Sequence, residues 1–315
     1  MNNAVIGVDV GGTGTKAAIV AADGNVIARL ERPTDPSAGT KGIIFVVEDL
    51  LRRALDLGYD ILAIGVGAAG FIDWSTGAVT FAPNLEYDDP HVAAALRART
   101  NVPVVVDNDA NAAAWGERRF GAARGLDDIV LLTLGTGIGS GIISRGRLVR
   151  GATGAGAELG HMVIDPDGPP CGCGLRGCFE QFASGQAIER MARAALLDDP
   201  ASTILSFATS PATVTARDVA RAAREYDETA RMILRTAGRY LGIGMSNVVN
   251  LFDPDAIVLS GSVVKAGEAY LGPARDMLVE MTALQRRRPM RIDAAMLEED
   301  AGIVGAAALA FDEAT

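Results

Sequence analysis

Ile6-Gly7-Val8-Asp9-Val10-Gly11-Gly12-Thr13-Gly14-Thr15-Lys16 decides how the rest of this chain is read. Two β-rich runs, residues 4–10 and 16–22, flank a turn made only of glycine and threonine, so the spacing predicts a hairpin. A second segment, Leu132-Thr133-Leu134-Gly135-Thr136-Gly137-Ile138-Gly139-Ser140-Gly141, loosely repeats it. One repeat of a hairpin implies duplicated lobes, since a solenoid would recur every 20–50 residues or so. Glycines in such a turn let backbone N–H groups approach phosphate oxygens, and a threonine hydroxyl adds a donor. Asp9, at the strand end, can hold Mg²⁺ directly or through water.

Outward from the first hairpin, residues 25–32 read as a third strand and 40–57 as an amphipathic helix, with Ile43, Ile44, Val47, Leu50, Leu51 and Leu55 at helical spacing. Strands follow at 61–66 and 103–106, and a short helix at 108–118. This β-β-β-α-β-α-β-α order implies a mostly parallel sheet with helices packed on it. A second unit begins near residue 128 with strands at 129–134 and 141–144. Residues 150–184, rich in Gly, Pro and Cys with little periodicity, read as a long functional loop or insertion. Helices are expected at 185–197, 215–224 and 228–250, a strand at 256–259, mostly helix over 262–287, a strand at 291–296 and a closing helix at 302–311.

Composition sets the outer limits. The chain has 315 residues, with 29 basic against 39 acidic side chains and a net charge of −10. That balance argues against nucleic acid or an anionic membrane as partner, because both reward excess Lys and Arg. No apolar run approaches the roughly 18 residues of a membrane span, and residues 1–6 lack the features of a signal peptide. The expectation is a cytoplasmic protein. There is no G-x-x-x-x-G-K-[ST] phosphate loop. G-x-G-x-x-G occurs at Gly65, Gly67 and Gly70, but Phe71 to Gly77 reads as a turn rather than the helix a dinucleotide site needs, and a second match at Gly172, Gly174 and Gly177 lies inside a cysteine cluster. Both read as chance matches.

All three cysteines, Cys171, Cys173 and Cys178, fall within eight positions, with His161 ten residues before the first. So tight a cluster closes no long loop and suits a metal better than a disulfide. One imidazole and three thiolates complete a tetrahedral shell for Zn²⁺, which marks a structural rather than a hydrolytic site. Glu158 and Glu180 flank this loop, and folding around a metal would fix both. One nitrogen of His161 can ligate while the other meets a substrate hydroxyl. Asp107-Asn108-Asp109-Ala110-Asn111 ends an apolar strand and starts a helix, where side chains face the crevice of an α/β sheet. One of these residues is expected to cap the helix, and Asp109 can accept a hydroxyl proton as general base. Asn84, in Ala82-Pro83-Asn84-Leu85, can donate and accept toward a polyol.

Together these stretches resemble the ROK family (repressors, open reading frames, kinases), and most closely its bacterial glucokinases. The resemblance is carried by DVGGTGTK (Asp9–Lys16), APNL (Ala82–Leu85), DNDAN (Asp107–Asn111), LGTGIGSG (Leu134–Gly141), GAGAELGH (Gly154–His161) and CGCGLRGCFE (Cys171–Glu180). It implies an α/β, two-lobed actin/hexokinase-like ATPase (ribonuclease H-like) fold with a zinc-binding loop in the larger lobe. The small domain would be 1–118, joined by a C-terminal helix 301–315, and the large domain 119–300, with the zinc loop at 161–178. By the same resemblance, Asp9, Gly11, Gly12, Thr13, Lys16, Thr136, Gly137 and Gly261 would hold ATP with Mg²⁺. Asn84, Asn108, Asp109, Glu158, His161 and Glu180 would bind glucose, with Asp109 as base, and His161, Cys171, Cys173 and Cys178 would hold structural Zn²⁺. A homo-oligomer, dimer or tetramer, is implied as well. Three departures stand out: Gly14 replaces a commoner Asn, Tyr87 follows PNL where a Trp often stands nearby, and Ser260-Gly261-Ser262 replaces the usual Gly-Gly near the adenosine. Repressors of the family carry an N-terminal helix-turn-helix, whereas this sequence opens on the ATPase strand, so a kinase is expected. The alternatives are a kinase for another hexose or N-acetylhexosamine (mannose, N-acetylmannosamine, fructose or allose), polyphosphate as donor, or a non-catalytic sugar sensor.

Overall fold

In the computed structural model, which describes residues 2–12, 14–35, 39–82, 85–283 and 287–314, the chain divides into two compact units. The first comprises Met1–Leu131, Gly141–Ala157 and Ala295–Thr315, and the second Leu132–Ser140 and Glu158–Ala294. Residues 119–131 and 141–157 thus group with the first unit, beyond the limit of 118 that the resemblance implies.

The first unit is built on a five-stranded sheet in the order β3-β2-β1-β4-β7. Its strands are β1 (Asn2–Val10), β2 (Gly14–Ala21), β3 (Val26–Pro33), β4 (Tyr59–Ala68) and β7 (Val104–Asn108). β1 pairs antiparallel with β2 and β2 with β3, while β1–β4 and β4–β7 are parallel. The sheet is therefore mixed, which corrects the expectation of a mostly parallel one. The reason is connection length: the links from β1 to β2 and β2 to β3 hold no helix, and short links join only antiparallel strands. Residues 71–81 form a small hairpin, β5 (Phe71–Asp73) and β6 (Ala78–Phe81), around the expected turn.

Among the described residues this unit holds α1 (Gly39–Asp56), α2 (Val92–Thr100), α3 (Asp109–Phe120) and a C-terminal helix. The first buries Ile43, Val46, Val47 and Leu50 against Ile6, Val8, Ile64 and Val66. On the other face, the C-terminal helix Ala301–Glu313 puts Ile303, Val304, Ala307, Ala310 and Phe311 against Val5, Ala18, Val20 and Ala63. It lies so close that a Cβ on Gly65 would collide with the Ala306 carbonyl. The G-x-G-x-x-G match at Gly65 therefore marks helix-on-strand packing. Gly65→Ala is expected to destabilise the protein by about 1–3 kcal/mol or more. A urea midpoint equal to wild type would refute this account of the glycine.

The second unit is built on a sheet in the order β10-β9-β8-β11-β12. Its strands are β8 (Ile129–Leu134), β9 (Ile138–Ser144), β10 (Arg147–Leu148), β11 (Ala256–Ser260) and β12 (Arg291–Ala294). The outer ends of β8 and β9, and β10 itself, fall among the residues grouped with the first unit. Helices α4 (Glu180–Ala183), α5 (Gly185–Asp198), α6 (Ala216–Arg224), α7 (Glu228–Phe252) and α8 (Glu268–Met281) complete the unit. The stretch expected to be mostly helix over 262–287 is a 3₁₀ turn at Ser262–Ala266 followed by α8, with 284–286 outside the described residues. The strand expected to reach 296 stops at Ala294. No helix among the described residues is long and apolar enough to cross a membrane.

Candidate active site and metal loop

In the first unit, Asp9 stands near the end of β1, in register with Lys16 on β2 and Gly67 on β4. The hairpin turn is closed by Gly11 N–H donating to the Gly14 carbonyl at 3.0 Å, and Thr34 Oγ1 donates to the Gly11 carbonyl at 2.8 Å. Burial, and then the negative charge of Asp109, push the Asp9 carboxyl up to about 6, with Lys16 opposing. Burial is also the main cause that raises Asp109, against hydrogen bonds from backbone N–H groups and the Asn108 side chain. A cation beside Asp9 would offset the cost of charging it.

This sets a stability prediction. Because the folded Asp9 carboxyl lies above its ordinary value of 3.8, its charged form is disfavoured by folding. That cost is absent at acid pH, develops between 3.8 and about 6, and is complete above 6. Without nucleotide or Mg²⁺, Asp9→Asn should raise Tm at pH 8 and leave it near wild type at pH 4. Equal shifts at both pH values, or a lower Tm at pH 8, would overturn the assignment.

The DNDAN turn resolves which residue caps α3. Asn108 Oδ1 accepts the N–H groups of Ala110 at 2.9 Å and Asn111 at 3.2 Å, and its Nδ2 donates to the Gly70 carbonyl at 3.1 Å. Asn108 is the cap, and Asp109 is the first helical residue. Tyr87, singled out in the sequence only as a departure, faces this carboxylate: burial and the Asp109 charge push its phenol up to about 12. Its hydroxyl is buried without a hydrogen-bond partner among the described residues. Thr13 and Asn84 lie outside the described residues.

In the second unit, the turn at Thr136-Gly137 is tied to the starts of α4 and α5. Gly185 N–H donates to the Gly135 carbonyl at 2.8 Å and Gln186 N–H to the Thr136 carbonyl at 3.2 Å. Glu180, the first residue of α4, accepts the Ile138 N–H at 2.9 Å through Oε2. Gly261, at φ 96°, runs against the backbone of Leu134, where a side chain would collide. Thr136, Gly137, Glu180 and Gly261 are thereby gathered around the end of β8. The Ile138–Glu180 hydrogen bond has no sequence signal, since 42 residues separate its partners.

Glu158 precedes a 3₁₀ turn, Leu159–His161, and its carbonyl accepts the His161 N–H at 3.1 Å. His161, Cys171, Cys173 and Cys178 come together with their ligand atoms within 4.8 Å of one another. His161 Nδ1 is 3.6 Å from Cys171 Sγ, and Cys173 Sγ is 3.6 Å from Cys178 Sγ. A tetrahedral zinc with bonds of about 2.3 Å to sulfur and about 2.0–2.1 Å to nitrogen separates S from S by about 3.8 Å and N from S by about 3.5 Å. The four residues fit such an ion, and they could bind a metal. The loop is wrapped by Gly177, at φ 70°, where any side chain would strike the Asp165 carbonyl. It is anchored by Phe179, fully buried, whose N–H donates to the Met162 carbonyl at 2.8 Å and whose ring fills the space left by Gly244 on α7.

The mixed α/β fold, with its two five-stranded sheets, is of the actin/hexokinase-like class, as its match to solved sugar-kinase structures shows. The comparison with known proteins narrows this: the chain belongs to the ROK family, whose pattern matches residues 5–313. It is 39% identical over 311 residues to a glucokinase of Streptomyces coelicolor, covering 97% of this chain and 96% of that one. It is 37% identical over 306 residues to a glucokinase of Thermotoga maritima, again covering 97% and 96%. Among solved structures, a ROK family glucokinase from Streptomyces griseus in complex with glucose and AMPPNP superposes with a TM-score of 0.83 at 39% identity, covering 98% of this chain and 99% of that one.

Proposed function

We propose that this protein is an ATP-dependent glucokinase, transferring the γ-phosphoryl of ATP to the 6-hydroxyl of glucose. The observation that carries the reading is Asp109: a carboxylate on the first residue of α3, directly after β7, with Asn108 as the helix cap and its own charged form disfavoured by burial. A base in that state gains by accepting a proton. Likeness to glucokinases over nearly the whole chain supports the substrate pair.

In this reading Asp109 takes the proton of the sugar hydroxyl as it attacks. Asn108, together with Asn84, Glu158, His161 Nε2 and Glu180 Oε1, would hold the sugar hydroxyls. The backbone of Gly11-Gly12-Thr13 and of Thr136-Gly137, with Lys16, would cradle the phosphates, and Gly261 would meet the adenosine. Asp9 would hold Mg²⁺, which when bound neutralises charge on the phosphates. Zinc at His161 through Nδ1, Cys171, Cys173 and Cys178 would be structural, leaving Nε2 of His161 available to substrate.

A coupled assay with ATP and a panel of hexoses tests the reading, with the highest kcat/KM expected for glucose. A higher value for mannose or N-acetylmannosamine would reassign the substrate, and a higher one with polyphosphate would reassign the donor. No turnover of any hexose, combined with sugar-dependent thermal stabilisation, would favour the sugar sensor instead.

A further inference from the structure

The Asp109 turn rests on a charge pair that no motif contains. Asp107, the residue before Asn108, is 2% exposed. Its Oδ1 accepts the Asn108 backbone N–H at 2.8 Å and Asn111 Nδ2 at 2.9 Å. Its Oδ2 accepts Arg150 Nε at 2.6 Å. Both oxygens are thus committed, two of the three donors belong to the turn itself, and the third is the only charged one among them. Arg150 comes from the segment after β10, and its guanidinium lies 5.4 Å from the ring centre of Trp74, on the β5–β6 turn. A carboxylate this deeply buried is tolerable only when paired, so losing Arg150 would leave it free to pull the turn out of place.

We propose that Arg150 is a positioning residue for phosphoryl transfer, acting through Asp107 to hold Asn108 and Asp109 in place. The proposal rests on the kinase reading above. Arg150 reaches no reacting atom in this role. It supplies the countercharge that lets Asp107 grip the strand end, and Asp107 in turn fixes the backbone from which the base projects. Displacing a catalytic group by about 1 Å can cost on the order of 10² in rate, so the effect belongs in kcat rather than in KM.

The surroundings of Arg150 supply a test that a purely structural residue would fail. Arg150 lines a cavity of about 560 Å³, together with Trp74, Trp115, Leu148 and Asp312, and its side chain is 23% exposed. A small cation can therefore reach the place its guanidinium leaves. Arg150→Ala is expected to lower kcat on the order of 10²-fold with KM for glucose changed only a few-fold. Guanidinium chloride at millimolar concentration should recover about tenfold of this in the variant, and sodium chloride at equal ionic strength should recover none. If Arg150→Ala does not fold, Arg150→Lys replaces it: Lys keeps the charge but lacks the planar fork, so a kcat lowered by at least threefold at unchanged KM is expected. Wild-type protein without activity on any hexose would fail the kinase reading, and this proposal with it. Active wild type with Arg150→Ala, or Arg150→Lys where that is the variant tested, within threefold in kcat would overturn the positioning role alone. So would a loss in Arg150→Ala that guanidinium does not recover.

Discussion

Replacing Asp109 by asparagine is expected to lower kcat on the order of 10²–10⁴-fold, with KM for glucose changed far less and with thermal stability preserved. Phosphoryl transfer leaves a protein little covalent work, and positioning with charge stabilisation supplies most of the rate. The attacking hydroxyl still needs a destination for its proton. Asparagine keeps the shape of Asp109 but has no basic lone pair to receive it. The rival account makes Asp109 a helix cap whose loss would cost about 1 kcal/mol and spare the chemistry. The geometry bears against that account, because Asn108 Oδ1 takes both capping N–H groups, of Ala110 and Asn111, and Asp109 Oδ1 shares only the first. Burial disfavours the charged Asp109 in the fold, so the neutral amide should hold or raise Tm at pH 8. A kcat within a few-fold of wild type would remove Asp109 from the mechanism.

The other large effect is expected at the His/Cys₃ loop. Cys173 is exposed, so Cys173→Ala removes a ligand and little packing. Bound zinc should fall from about one per chain to near zero, since a three-ligand remnant is no longer the closed shell of a structural site. Structural zinc contributes apparent binding energies of about 10–16 kcal/mol in small domains, and that energy is folding energy. Its loss should release the loop from His161 to Cys178 and with it Glu180, whose carboxylate receives the Ile138 N–H. Activity should fall below detection. Hydrogen exchange should rise over residues 161–183 and stay unchanged in β1, β4 and β7. Wild-type protein prepared without chelator and free of zinc would sink the idea, as would a Cys173→Ala variant with ordinary kinetics.

What could be read from the sequence follows how local each signal is. The Cys171–Cys178 cluster with His161 was readable because a metal shell demands particular residue types at short spacing. The Asp9 hairpin was readable because its glycines sit between two β runs. The same hairpin makes β1 and β2 antiparallel, but the antiparallel addition of β3, which leaves the sheet mixed, escapes an element-order reading although no helix separates β2 from β3. Arg150 and Asp107 lie 43 residues apart in the chain, and neither composition nor periodicity links them, so only the fold joins them. The Asn108 cap was ambiguous for a different reason. Asp and Asn cap almost equally well, and DNDAN offers both at adjacent positions, so choosing between them takes the backbone angles of the turn itself.

The packing of the C-terminal helix on β1 and β4 has a consequence for synthesis. The core formed by Val5, Ala18, Val20 and Ala63 is closed by Ile303, Val304, Ala307, Ala310 and Phe311. On the ribosome, residues 2–131 emerge first, yet that core stays open until residue 311 has left the exit tunnel. The contiguous stretch from Glu158 to Ala294 has no such wait. The usual rule that domains mature in the order of translation is therefore reversed here, and the earliest-made strands keep an apolar face uncovered for most of the time the chain is being made. A nascent chain stalled before residue 301 is the form in which a chaperone would have the most to bind.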